Sequence, residues 1–320
     1  MTDSIPGEAA EQLPHVYIHN SHETEQDLCR LELQSLFGPA GKNEIMVVSD
    51  RRVDPDISPF IRLRLDPLLS AGSLEQLREL TARLSVPEGQ TFKLMCIKEA
   101  VPLDYEAQRW AESVLGSSIQ GTARMKDPDL VFGLVHTGGE WLLGVCVFSS
   151  RDYRKHRHKP HNYSTGLSVE MARSLVNIAV PNPNKITLID PCCGMGNVLI
   201  EALSMGINIH GNEWNPAAYR GAVKNLEHFG YSRERVQCGD MNDLQESYDA
   251  AILDLPYNLC SLIEDTAQLN MLRSLRRMAK RAVVVSTADM DQSLQETGWQ
   301  VTGGCSVRKG TFERLVRVCE

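Results

Sequence analysis

The feature that most restricts the fold is the stretch 186–202, Ile-Thr-Leu-Ile-Asp-Pro-Cys-Cys-Gly-Met-Gly-Asn-Val-Leu-Ile-Glu-Ala. Ile186, Leu188 and Ile189 form a short apolar, β-branched run that suits a buried parallel strand, and Asp190 closes it. Residues 191–196 then make a tight turn in which Gly194 and Gly196 permit positive φ and a close approach of backbone to ligand. A helix is expected from Asn197 onward. Strand, glycine turn and helix N-terminus together aim unpaired N–H groups and a positive dipole end past the strand's carboxyl edge.

What the stretch lacks narrows the ligand. A dinucleotide fingerprint needs a third glycine three residues after Gly196, and that position is Leu199. No G-x-x-x-x-G-K-[ST] loop occurs, which argues against a nucleoside triphosphate. What remains is an acidic strand end, Asp190, four residues before a Gly-x-Gly. In that form the stretch resembles the first motif of the class I S-adenosylmethionine-dependent methyltransferases. The resemblance implies a doubly wound, Rossmann-like α/β domain whose loop wraps the amino-acid part of S-adenosylmethionine, with Asp190, Cys192, Gly194, Gly196 and Asn197 as cofactor-binding residues.

Later segments supply further parts at a strand–helix rhythm. A strand at 207–211 leads to Glu213, a helix follows from Asn215 and Pro216 to Leu226, and a strand at 236–238 ends in Gly239-Asp240. A carboxylate at Glu213 suits both ribose hydroxyls, and one at Asp240 suits the exocyclic amine of adenine. Either could instead cap the helix that follows. The apolar strand at 248–253 runs into Asp254-Leu255-Pro256-Tyr257-Asn258, which resembles the Asp/Asn-Pro-Pro-Tyr motif of methyltransferases acting on exocyclic amines of nucleobases. Such an amine has its lone pair delocalised into the ring and needs hydrogen-bond acceptors to draw its protons out of plane. The Asp254 carboxylate and Leu255 carbonyl are the expected acceptors, Pro256 fixes the turn, and Tyr257 offers a ring face to a flipped base. Leu255 departs from the motif's first proline. Methylation at carbon 5 of a pyrimidine would need a thiolate beside the base. The only Pro-Cys, at 191–192, lies in the cofactor loop, and Cys260 lacks that context. A basic helix at 271–280, a strand at 282–285 and a closing hairpin at 301–318, turning at Lys309-Gly310, complete the domain, and the basic residues Arg308 and Lys309 suit solvated surface.

With 320 residues there is room for about two domains. The first half alternates strand signals (15–19, 44–48, 60–65, 92–97 and a hairpin at 130–148) with helix signals (23–37, 74–84, 105–115), an α+β pattern. Residues 119–134, and Asp127-Pro-Asp-Leu-Val-Phe132 in particular, resemble the THUMP domain, an RNA-binding module of tRNA-modifying enzymes. The most basic window, 151–161, suits a solvated linker or a phosphate-contacting strap that includes Tyr153. Residues 161–177 are similar to the segment before the first strand in tRNA guanine-10 N2-methyltransferases, which implies that Ser164 and Thr165 close over the cofactor. The expected division is therefore a THUMP-like domain at 1–150, a basic linker at 151–161 and a methyltransferase domain at 162–320.

Composition bounds the partners. A net charge of −8 makes any nucleic-acid surface local rather than general. Nine cysteines without a C-x-x-C pair indicate neither a metal site nor a disulfide framework. No apolar run is long enough to span a membrane, and residues 1–12 do not resemble a signal peptide, so a cytoplasmic protein is expected. The resemblance to the tRNA guanine N2-methyltransferase group implies S-adenosylmethionine-dependent methylation of an exocyclic amine in structured RNA, guanine in tRNA above all. DNA adenine N6-methylation and a catalytically idle RNA-binding protein of the same fold are the alternatives.

Overall fold

The computed structural model describes residues 13–39, 45–163, 166–256, 265–310 and 312–320. They form two units. One comprises residues 1–20, 41–55 and 61–149, the other residues 21–40, 56–60 and 150–320. The division is thus interleaved, not a single cut near residue 150: the helix at 26–37 and the whole basic window 151–161 belong to the second unit.

In chain order the first 150 residues contain β1 (His15–His19), α1 (Gln26–Phe37), β2 (Met46–Ser49), β3 (Ile61–Ala71), α2 (Leu74–Thr81), β4 (Thr91–Cys96), α3 (Tyr105–Ser118), β5 (Thr122–Ala123), β6 (Leu130–Thr137) and β7 (Glu140–Phe148). All but α1 build the first unit, whose sheet has the order β2-β1-β3-β7-β6-β4-β5. Strand β4 runs parallel to β5 and β6, and the other pairs are antiparallel. Alternation along β6 and β7 sends Leu134 and Leu143 into one core with Leu77 of α2 and Leu115 of α3, and Val135 and Leu142 into a second core with Val16 and Leu65. Ser73 and Asp104 cap α2 and α3 by accepting from the Gln76 and Ala107 N–H groups. Strand β3 runs past Pro67, where the sequence signals end it at residue 65. A register shift between Pro67 and Leu69 absorbs the missing donor. Opposite it stands Gly144, where a Cβ would lie 2.1 Å from the Asp66 carbonyl oxygen.

The second unit continues with α4 (Val169–Ala179), β8 (Thr187–Asp190), α5 (Asn197–Ser204), β9 (Asn208–Glu213), α6 (Pro216–His228), β10 (Val236–Cys238), β11 (Tyr248–Asp254), α7 (Asp265–Met278), β12 (Ala279–Ser286), α8 (Asp291–Glu296), β13 (Val301–Lys309) and β14 (Phe312–Cys319). Its sheet has the order β10-β9-β8-β11-β12-β14-β13. The first five strands are parallel, and β14 is antiparallel to both neighbours. This is the doubly wound, Rossmann-like α/β arrangement that the glycine turn implied. On one face Ile189, Ala251, Leu253 and Val284 pack on Leu272, Leu275 and Leu294 of α7 and α8. The other face is covered by α4, buried along almost its whole length. Helix α7 starts earlier than the basic pattern suggested, and Lys280 falls in β12.

Two buried charged groups join α4 to its surroundings within this unit. Glu201 of α5 receives Arg173 Nη1 at 2.7 Å and lies 2.6 Å from His156 Nδ1. Arg173 also stacks on the Tyr153 ring at 5.0 Å and donates to the Asp56 carbonyl. Glu32 of α1 is fully buried and accepts from Ser58 Oγ and Asn177 Nδ2. Burial pushes its carboxyl from 4.5 up to about 7, against the opposing effect of these donors and of Arg173. A folded-state value raised above the unfolded one gives stability that is complete below the unfolded value and lost as pH rises through the folded one. Urea unfolding at pH 5 and pH 8 should therefore show Glu32→Gln more stable than wild type at pH 8, by roughly 3 kcal/mol, and the difference should shrink at pH 5.

Candidate active site

Strand register brings the acidic strand ends to one rim. Asp190 lies opposite Gly211, and Ile189 opposite Ala251, so Glu213 and Asp254 each stand two residues beyond Asp190 on the flanking strands. At this level β8 lies between β9 and β11, where the strand order reverses, which is the crevice in which open α/β sheets bind ligands. Period-two alternation sets Asp190, Glu213 and Asp254 on the same face. The mutual effect on ionisation agrees: burial first, then the Asp254 and Glu213 carboxylates, hold the Asp190 carboxyl well above the usual range.

The glycine turn is built as its residues suggest. Gly194 and Gly196 have φ of +55° and +80°, and Gly196 precedes the first turn of α5. The Cys192 N–H donates to Asp190 Oδ1 at 3.3 Å, and the Gly194 N–H donates to Glu213 Oε2 at 2.8 Å. Glu213 Oε1 accepts from the Asn215 N–H, also at 2.8 Å. Its carboxylate therefore anchors two turns before it meets any ribose, and each oxygen retains further acceptor capacity. Cys192 Sγ lies 3.6 Å from Met241 Sδ. Burial, followed by the surrounding carboxylates, raises its thiol far above its normal value, which removes it as a thiolate nucleophile.

Three asparagines that local sequence patterns did not single out in this role brace the turn. Asn225, inside α6 and fully buried, accepts from the His161 N–H at 2.9 Å and donates to the carbonyls of His161 (2.8 Å) and Met195 (2.9 Å). Asn212 donates to the Pro191 and Gly239 carbonyls, joining the loops after β8 and β10. Asn197, expected at the cofactor, donates its Nδ2 to the Leu167 carbonyl at 2.7 Å; its Oδ1 is buried without a partner among the described residues. Nothing in a one-dimensional pattern distinguishes such an asparagine from a solvated one. Gly221 has a similar hidden role: a Cβ there would lie 2.2 Å from Met195 Sδ, so the turn rides directly on the α6 backbone. Trp214, next to Glu213 and 75% exposed, was also passed over.

At the expected catalytic turn, Asp254 ends β11. The Leu255 side chain is 2% exposed within the α7-side core, and its N–H donates to the Val285 carbonyl at 2.9 Å. A proline at this position could not make that bond. The departure from the motif thus exchanges ring stiffness for one more rung of the β11–β12 ladder and an apolar anchor. Pro256 is half-buried, while Tyr257, Ser164 and Thr165 lie outside the described residues. Asp240 is exposed and its Oδ1 accepts from the Asn242 N–H at 2.8 Å, a local cap. The basic window differs from a free strap: residues Asp152–His158 form a 3-10 helix in which Tyr153 and His156 are buried, so that ring cannot stack on a base. A cavity of about 370 Å³ opens elsewhere on the sheet, bounded by Thr187, His210, Arg235, Glu246 and Tyr248; none of Asp190, Glu213, Asp240 or Asp254 lines it. No described helix is long and apolar enough to cross a membrane, and no three His, Cys, Asp or Glu side chains among the described residues are grouped to hold a metal ion.

Residues 154–302 match the family described as UPF0020, RMKL-like, methyltransferase domain. The match falls within the second unit. A tRNA (guanine(10)-N2)-dimethyltransferase of Methanothermobacter thermautotrophicus is 33% identical over 119 residues, 36% of this chain and 35% of that protein. A protein of the same name from Pyrococcus abyssi is 26% identical over 210 residues, 60% of this chain and 63% of its own length. The chain thus matches about a third and somewhat under two thirds of these relatives. The crystal structure of TrmN from Thermus thermophilus covers 96% of this chain and 99% of its own at 17% identity, with a TM-score of 0.47.

The glycine turn depends on the Asn225 brace. Asn225→Ala leaves three backbone groups short of a partner and should cost about 3 kcal/mol in denaturant unfolding. Calorimetry with the methyl donor should show weaker binding, since Met195 and His161 lose their common anchor.

Proposed function

We propose that the protein transfers the methyl group of S-adenosylmethionine to the exocyclic amine of a nucleobase in RNA, N2 of guanine in tRNA. The observation that carries this reading is the meeting of Asp254 with Asp190 and Glu213 on one face of one rim, beside the glycine turn. A cluster of carboxylates in a poorly solvated crevice favours a cationic ligand, and the sulfonium donor is one. The residues fit it in kind: Asp190 and the turn at Cys192, Gly194 and Gly196 face its amino-acid end, Glu213 its ribose and Asp240 its adenine, with Trp214 offering a ring face. Ser164 and Thr165 close the site, and Asn197 acts by tethering that strap.

For the transfer, Asp254 Oδ and the Leu255 carbonyl accept hydrogen bonds from the two amine N–H groups, which draws the nitrogen lone pair out of the ring for in-line attack on the methyl carbon. The carbon–sulfur bond breaks, the sulfur keeps the electron pair, and the surplus amine proton leaves through Asp254. Pro256 and Tyr257 shape and cover the base site. The first unit is a THUMP-like RNA-recognition module, and the enzyme acts in the cytoplasm. The names of the two tRNA-modifying relatives favour RNA over DNA adenine as substrate.

Asp254→Ala should abolish turnover, by at least about a thousandfold, while leaving methyl-donor affinity within a few fold; Asp190→Ala and Glu213→Ala should weaken donor binding first. Calorimetry and single-turnover assays separate these outcomes. Nucleoside mass spectrometry of tRNA, ribosomal RNA and DNA from cells with and without the gene tests the substrate. Loss of a methylated guanosine from tRNA is expected, and unchanged RNA with loss of methyladenine from DNA would overturn the reading.

A further inference from the structure

The closing hairpin is longer than the sheet it completes. Strand β14 pairs with β12 from Cys319 only as far as Leu315, opposite Ser286. Beyond that point residues 312–314 pair with β13 alone, Arg314 with Val307, Glu313 with Arg308 and Phe312 with Lys309. The direction of this overhang is fixed by the register. Val316 lies opposite Val285, and Val285 opposite Asp254, so Arg314 and Phe312 stand two and four residues past the level of Asp254, on the carboxyl side. At roughly 3.4 Å per residue they rise about 7 and 14 Å above it, two strand spacings of about 4.8 Å to the side. Bridge partners share a face, and side chains alternate. Arg314 and Phe312 therefore belong to the same face as Asp254.

The chemistry of the tip fits one kind of partner. The Arg314 guanidinium lies over the Phe312 ring, 4.6 Å from its centroid, and Phe312 is 37% exposed. Arg308, also exposed, is steadied by Glu313 at 2.9 Å. Phe312 and Arg314 thus present an aromatic plane with one guanidinium on a chain whose net charge is −8, whereas Arg308, the bridge partner of Glu313, belongs to the opposite face. A base drawn out of its stack leaves its neighbours' faces uncovered, and an aromatic side chain with adjacent cations meets such a nucleotide by stacking and by phosphate pairing.

We propose that the β13–β14 tip is a substrate grip: Phe312 stacks on a nucleotide flanking the methylated base, while Arg314 pairs with the neighbouring phosphate. This rests on the RNA methyltransferase reading above and adds to it a specific point of contact outside the reacting groups.

The test uses the full-length protein, unmodified tRNA transcripts and S-adenosylmethionine. Phe312→Ala should raise the KM for RNA about tenfold with kcat changed less than about twofold, and Phe312→Tyr should restore it. Arg314→Gln should weaken RNA binding and make the dependence of log K on log salt shallower by about 0.7, whereas Arg308→Gln, on the opposite face, should change both much less. Donor affinity and thermal midpoint should not move. Unchanged RNA binding and salt slope in the Phe312 and Arg314 variants would overturn the proposal, as would a loss of binding explained by a fallen midpoint. If the wild-type protein turns over no RNA, the functional reading fails; direct binding of the same transcripts to wild type and variants then still decides the grip, and equal binding or none overturns it.

Discussion

The second unit is organised around a concentration of negative charge that folding alone does not favour. Parallel pairing of β9, β8 and β11 forces Glu213, Asp190 and Asp254 to end at one rim, and the buried position of Asp190 makes their repulsion felt in its raised ionisation. Such a rim costs stability when empty of positive charge, and it gains most from a ligand that carries one. Backbone N–H groups answer part of the charge: in the glycine turn Gly194 donates to Glu213 and Cys192 to Asp190, and Asn215, at the start of α6, also donates to Glu213. The same contacts that hold the turn in place therefore also orient the carboxylates, which couples the shape of the site to its electrostatics.

Holding a six-residue turn still requires partners outside it, and the protein uses buried amides for this. Asn225 and Asn212 each join backbone carbonyls from separate loops, and Asn197 reaches the Leu167 carbonyl in the strap before α4. Such an amide is directional in a way that apolar packing is not, because an incorrect geometry loses its donated hydrogen bonds, although the buried Oδ1 atoms of Asn197 and Asn212 have no partner among the described residues. Behind the turn, the Arg173–Glu201–His156 cluster connects α4, α5 and the 3-10 helix at 152–158. Removing one member would leave a buried charge uncompensated, so this cluster secures the position of α4 more than it adds net stability.

Leu255 illustrates how a departure from a pattern is resolved by context. Local sequence sees a missing proline and infers a looser turn. In the folded chain the same position gains a ladder hydrogen bond to Val285 and a buried side chain, both available only because β12 lies alongside. The basic window at 151–161 shows the opposite case. Its charges suit a solvated linker or a phosphate-contacting strap, yet Tyr153 packs against Arg173 and His156 against Glu201, partners far away in sequence.

By itself the amino-acid order determined the features that depend on neighbours along the chain: the strand–glycine turn–helix at 186–202, the acidic strand ends at Asp190, Glu213 and Asp254, the hairpin at 130–148 and the helix caps. Backbone sterics and apolar periodicity act over a few residues, so their traces are legible in one dimension. Only the tertiary structure decided which of these ends share a rim and a face, that α1 belongs with the second unit, that Asn212 and Asn225 brace the glycine turn, and that the β13–β14 tip extends past the level of Asp254. Those facts arise from register and from contacts between residues far apart in the chain, and a hydrogen bond across that separation has no signature in either residue's local surroundings.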